Sequence, residues 1–202
     1  MTEQFDSEWW EERYRSHGVH HAEPTPALLA EVADLAPGRA LDAGCGEGAD
    51  AVWLAAQGWR VTAVDISATA LRTARSHADA AGAEVDWVHA DLGEWAPSVP
   101  FDLVTSSYVH PPGSTADLVA RLAAAVAPGG TLLVVGHQHS EHPASDPHAP
   151  IAESHVAVDD LAAVLDPAQW EVVVAEVRHR ATVHDGHPVE LADAVLRARR
   201  RA

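Results

Sequence analysis

The sequence predicts an α/β fold around one mainly parallel, doubly wound sheet, and three observations point there. From about Pro26 onward, apolar runs ended by Gly or Asp alternate with alanine-rich helical stretches. The first run passes into the first helix through a glycine-rich turn, Gly44-Cys45-Gly46-Glu47-Gly48. Near the C-terminus two alternating segments follow one another with only a polar stretch between them. That succession calls for a hairpin, and so for an antiparallel strand at the end of the sheet.

In chain order, Arg39 to Ala43 is the first expected strand, and a helix from about Ala49 to Gln57 stops at Gly58. Arg60 to Val64 is the second strand, after which Ser67 is placed to cap a helix running to about Ala81. Val85 to His89, Phe101 to Ser106 and Thr131 to His137 supply three more strands. A helix from Thr115 to Val126 precedes the last of these, with Pro128-Gly129-Gly130 as the turn. Residues 138–150, rich in His, Pro, Ser and Asp, are expected to be a loop. A short helix near Val158 to Leu165 follows, then strands Trp170 to Val177 and Val189 to Leu196 joined by the polar stretch His179 to His187. Seven strands result. Residues 1–25, where Trp9, Trp10 and Tyr14 mix with Glu8, Glu11 and Glu12, suggest a helical extension or lid, leaving residues 26–202 as a single domain.

Charge narrows the partners. Of 202 residues, 30 are Asp or Glu and 13 are basic, all of them Arg, for a net charge of -17. Such a surface repels phosphate backbones and anionic lipid, so neither a nucleic acid nor a membrane is expected as partner. The tail arginines 197, 199, 200 and 201 fit a solvated terminus. A lone Cys45 cannot form an intramolecular disulfide, and no signal segment or long apolar run stands out, so a cytoplasmic monomer or homodimer is expected.

Chemistry concentrates where strands end. Glycines at a strand-to-helix turn let a ligand approach the backbone, with N–H groups and the helix dipole facing it. Gly44, Gly46 and Ala49, with Asp65 lying 21 residues after Gly44, satisfy a dinucleotide pattern, so an NAD-dependent oxidoreductase is one reading. Two further acids favour another ligand. Asp42 precedes the turn and Asp91 follows the third strand, so three successive strand ends each present a carboxylate. A ribose diol, an exocyclic amine and an ammonium group on one molecule would use all three.

The segments Leu41 to Gly48, Val61 to Ser67, Val88 to Leu92, Phe101 to Val104 and Leu122 to Val135 resemble, in order and spacing, those of class I S-adenosylmethionine-dependent methyltransferases. The resemblance implies a Rossmann-like seven-stranded sheet and S-adenosylmethionine as cofactor. It also implies that Gly44 and Gly46 lie against the methionine part, whose ammonium group suits the Asp42 carboxylate, and that Asp65 holds both ribose hydroxyls. Asp91 would accept from adenine between Ile66 and Leu92, and Ser106 would bind the amino-acid end through its backbone. The Trp10-x-x-Arg13-Tyr14 start is most similar to small tellurite-resistance and thiopurine methyltransferases.

The acceptor, a small molecule with an S, Se, Te, O or N nucleophile, should meet Ser106 to Pro112 beyond the strand ends. Trp10 and Tyr14 are positioned to close over it beside Tyr108 and His110. His110 is the first candidate base, Tyr108 and His137 the second. The 14 histidines also raise a non-catalytic metal-binding reading through His137, His139, His142, His148 and His155. A Pro-rich loop gives these residues none of the fixed spacing of a metal site, so no metal is expected.

Overall fold

The central strands are largely apolar, because helices cover both of their faces. The structure, a computed structural model, describes residues 5–17, 23–111, 113–138, 156–184 and 187–202. In chain order the elements are α1 (Ser7–His17), α2 (Pro26–Val32), β1 (Arg39–Ala43), α3 (Ala49–Ala56), β2 (Arg60–Asp65), α4 (Ala68–Ala81) and β3 (Val85–His89). Then come β4 (Phe101–Ser107), α5 (Thr115–Ala124), β5 (Val126–His137), α6 (Val158–Ala163), β6 (Trp170–His184) and β7 (His187–Arg200).

The sheet order is β3-β2-β1-β4-β5-β7-β6. Neighbours among β1 to β5 are parallel, and β7 runs antiparallel between β5 and β6. This is the expected fold, with one reversed strand contributed by the hairpin. Side chains alternate between its two layers. Leu41, Val104, Leu132 and Leu196 pack with Leu118, Val119 and Leu161 of α5 and α6. Ala40, Leu103, Leu133 and Val195 pack with Leu28, Val32 and Leu54 of α2 and α3 on the other face. From β1 the chain winds outward to β2 and β3, then returns to β4 on the opposite side. A crevice therefore opens beyond the C-terminal ends of β1 and β4.

Local chemistry sets the helix ends. Ser67 Oγ accepts from the Ala70 N–H at 3.1 Å to start α4, and Gly82, at φ +66°, ends it. Ser114 caps α5 through the N–H groups of Ala116 and Asp117. Helix α2, which the alternation did not single out, starts at Pro26, where a missing N–H is harmless.

Two expected boundaries move. Helix α5 stops at Ala124 instead of Val126, and β5 starts at Val126 because that residue pairs with Phe101 before the register jumps to Leu103 opposite Thr131. Pro128-Gly129-Gly130 is thus a bulge within the strand pairing. The C-terminal strands also run longer than expected. Their pairing continues through Arg178, His179 and Arg180 to His184 opposite His187, so most of the polar stretch taken as a connector is strand. Polar side chains are tolerated there because β6 is an edge strand with an exposed face. The loop expected at 138–150 lies, beyond Gln138, outside the described residues.

Candidate active site

The glycine turn is built by backbone bonds. Gly44 and Cys45 donate to the Val64 carbonyl at 2.8 and 3.0 Å, which swings the chain off the end of β1 before α3 begins. Gly44 sits at φ +77°, and a Cβ there would lie 2.1 Å from Val109 Cγ2. A side chain there would have to displace Val109 and hold a strained left-handed backbone. At Gly46 a Cβ would lie 2.7 Å from the Tyr14 hydroxyl, so the main chain of the turn and helix α1 face each other closely.

Acids ring this turn. Asp65 accepts from the Gly46 N–H through Oδ2 and from the Ser67 N–H through Oδ1, both at 2.8 Å. Burial raises its pKa despite those bonds. Asp42 is 2% exposed, and its Oδ2 has no hydrogen-bond partner among the described residues. Burial, then the charges of Asp50 and Asp65, push its pKa well up. Asp50 bridges outward, accepting from the Thr25 N–H at 2.6 Å and the Ser107 hydroxyl at 3.1 Å. Asp91 accepts from the Gly93 N–H at 2.7 Å. Burial raises the Cys45 thiol's pKa as well, which fits a space-filler and not a nucleophile.

A cavity of about 790 Å³ joins these groups to a second set. Its walls include Asp42, Gly44, Gly46, Asp65, Ile66, Asp91 and Leu92, and equally Trp10, Tyr14, Tyr108, His110 and His137. Ser106 is the exception. It is buried against a separate void of about 20 Å³, and its neighbour Ser107 faces the large cavity.

At the far end, rings stack in a column. Trp10 lies 6.1 Å from His110 at an interplanar angle of 6°, His110 lies 5.9 Å from His137, and His137 lies 4.5 Å from Tyr108. Tyr108 holds an uncommon φ of +56° just past β4, with its N–H donating to the Val135 carbonyl. Its hydroxyl donates to Asp193 Oδ2 at 2.9 Å, and burial raises its pKa so that the phenol stays protonated. Arg180 Nε donates to the same oxygen at 2.7 Å.

Helix α1 covers the site. Glu11 accepts from the Ser67 hydroxyl, the Thr69 N–H and the Thr69 hydroxyl, and these bonds hold its pKa down at about 2. Tyr14, its phenol pKa raised by burial and by Asp65, seats against Gly46.

A family model described as a methyltransferase domain matches residues 40–130. The chain is also 33% identical to a trans-aconitate 2-methyltransferase of Paracidovorax citrulli, over 94% of its own length and 77% of the relative's. The chain belongs to the class I S-adenosylmethionine-dependent methyltransferases. A second trans-aconitate 2-methyltransferase, from Streptomyces avermitilis, is 32% identical over 87% of this methyltransferase, which spans 64% of that relative's length. Among solved structures, one from work on the conversion of a disulfide bond into a thioacetal group during echinomycin biosynthesis superposes with a TM-score of 0.73. It is 27% identical, covering 97% of this methyltransferase and 93% of that chain.

Membership sets aside the oxidoreductase reading and the non-catalytic one; of the histidines named for metal binding, His139, His142, His148 and His155 lie outside the described residues. S-adenosylmethionine is the methyl donor, and the acid end of the cavity fits it: a buried carboxylate oxygen without a partner, a glycine cradle that a Cβ would fill, and excess negative charge to meet a cation. Among the described residues no helix is long and apolar enough to cross a membrane.

Sequence reasoning missed Asp193, Arg180 and Glu11. Asp193 had a signal, being the lone acid in the apolar run Leu191 to Leu196. Arg180 and Glu11 had none, since each looks like an ordinary surface residue until its partner is known.

Proposed function

We propose that this methyltransferase methylates a small organic acid that enters the same cavity as the cofactor. The observation that carries the reading is the continuity of that cavity, from the strand-end acids to the ring column. That shared space suits a small acceptor held beside the donor. The names of two relatives as trans-aconitate 2-methyltransferases support an organic acid as acceptor, ahead of the sulfur, selenium or tellurium nucleophiles suggested by the N-terminal sequence.

When bound, the cofactor supplies a methyl group on a sulfonium, ready for in-line displacement. The protein's residues do the rest. Asp65 would receive the ribose hydroxyls, Asp91 the adenine amino group between Ile66 and Leu92, and Asp42 the ammonium beside Gly44 and Gly46. Helix α1 serves as a lid through Trp10 and Tyr14, which cover the cavity and exclude water. Tyr108 is assigned to holding Asp193, since it donates its only proton there. His110 and His137, stacked and buried, wall the acceptor. Alignment and desolvation then supply most of the rate, with no metal required.

The test is homocysteine-product formation from a panel of organic acids, phenols and thiols, run beside calorimetric titration of S-adenosylhomocysteine. Binding of the product together with turnover of an organic acid is expected. Folded protein that binds no product, or that methylates only thiols, would contradict the reading.

A further inference from the structure

The cavity wall carries both signs of charge: Asp42, Glu47, Asp50, Asp65 and Asp91 line it, and so do Arg13 of α1, Arg121 of α5 and Arg180, which reaches in from β6. Arg180 is set apart by the buried carboxylate that grips its guanidinium. Its orientation is constrained on two sides. Nε is committed to Asp193 Oδ2 at 2.7 Å, and the guanidinium carbon lies 5.7 Å from the centre of the Tyr108 ring. The same carboxylate oxygen takes the Tyr108 proton, while Oδ1 lies 3.9 Å from His137 Nδ1. Asp193 is 4% exposed and sits on β7 directly opposite His137 of β5, so its backbone is fixed by the sheet.

From this geometry we infer that Arg180 is the residue that reads the acceptor, binding its carboxylate through the two terminal nitrogens, and that Asp193 is the residue that positions Arg180. The inference rests on the methyl-transfer reading above. Planar guanidinium and planar carboxylate match in a two-point contact, and a guanidinium gripped at Nε presents its terminal pair in one orientation.

The chemistry closes without a base. A lone pair on an acceptor carboxylate oxygen forms the new O–C bond to the methyl, and the S–C bond breaks with its electron pair remaining on sulfur. Carboxylate anion and sulfonium cation become a neutral ester and a neutral thioether, and no proton moves. Because opposite charges cancel on the way to the transition state, a cavity that excludes water favours the reaction. The acceptor needs a second carboxylate or equivalent anion for Arg180 to hold while the first reacts, so di- and tricarboxylates are the class.

The experiment compares wild type with Arg180→Met, Arg180→Lys and Asp193→Asn, using maleate, fumarate and tricarballylate against monomethyl maleate and monomethyl fumarate, which keep one carboxylate to react and lose the second. Calorimetry with S-adenosylhomocysteine runs alongside, and near-ultraviolet circular dichroism checks the fold. Expected for Arg180→Met is a rise in KM for the acids of about ten- to a hundredfold, with product affinity within about twofold of wild type. Arg180→Lys should regain part of the loss, and Asp193→Asn should raise KM for the acids more than it lowers kcat. If Arg180→Met misfolds, the Lys variant carries the test, and an unchanged KM there overturns the inference. Wild type that binds the product but turns over only uncharged acceptors overturns it too. Failure of wild type to bind the product sinks the methyl-transfer reading itself.

Discussion

The two ends of the cavity are built by different means. At the acid end, Asp42, Gly44, Gly46, Asp65 and Asp91 come from short stretches at the tips of β1, β2 and β3, so spacing along the chain dictates spacing in space. At the ring end, Trp10 arrives from α1, Tyr108 and His110 from the segment after β4, His137 from β5, Asp193 from β7 and Arg180 from β6. One end is local sequence, the other is tertiary assembly. The contrast implies that changes at the acid end should act on cofactor affinity and those at the ring end on acceptor choice.

Asp65→Ala should give the largest effect, since it removes a buried carboxylate that holds two backbone N–H groups. Loss of about a hundredfold or more in S-adenosylhomocysteine affinity is expected by calorimetry, with helical content retained by circular dichroism. An acceptor-only effect would erase the division between the ends. Gly44→Ala comes next, because the new methyl would crowd Val109 in a left-handed conformation. Roughly 2–4 kcal/mol of strain and overpacking should lower the melting temperature by about 5–15 °C.

Asp42→Asn should move stability and binding in opposite directions. The folded-state pKa of Asp42 is raised, so its ionisation penalises folding as pH climbs above the unfolded value near 4. Removing the charge should raise the melting temperature of the free enzyme by about 2–4 °C at pH 7 and weaken product binding about tenfold. The stability gain should vanish in melts below about pH 4. Glu11→Gln is the mildest. With the folded pKa depressed to about 2, Glu11 contributes stability that is present above its unfolded value near 4.5 and lost as pH falls toward 2. A loss of about 0.5–1 kcal/mol at pH 7 is expected, shrinking on acidification, and stopped-flow should show faster product release as the lid loosens.

Legibility in the sequence followed the same division. The parallel core was readable because strands buried on both faces are continuous apolar runs, as in Leu132 to Val135, and because Ser67 and Gly58 mark helix ends chemically. The acid rim was readable because Asp42, Asp65 and Asp91 each follow an apolar run. The hairpin's length was not, since an edge strand with a solvated face carries polar residues that resemble a connector. Asp193 and Arg180 escaped notice for a related reason: their roles depend on a pairing register between β5, β6 and β7 that no local pattern specifies. Ser106 came from the resemblance, as a backbone contact, and its side chain lines the small void while that of Ser107, one residue on, meets the large cavity.

A crystal structure of the methyltransferase soaked with S-adenosylhomocysteine bears most directly on the division between the ends. The expected density has the ribose on Asp65, the adenine between Ile66 and Leu92 with its amino group toward Asp91, and the sulfur directed at the ring column. Product seated against Arg180 and Asp193, or an Asp65 carboxylate that keeps both backbone bonds and makes no contact with the ribose, would contradict it.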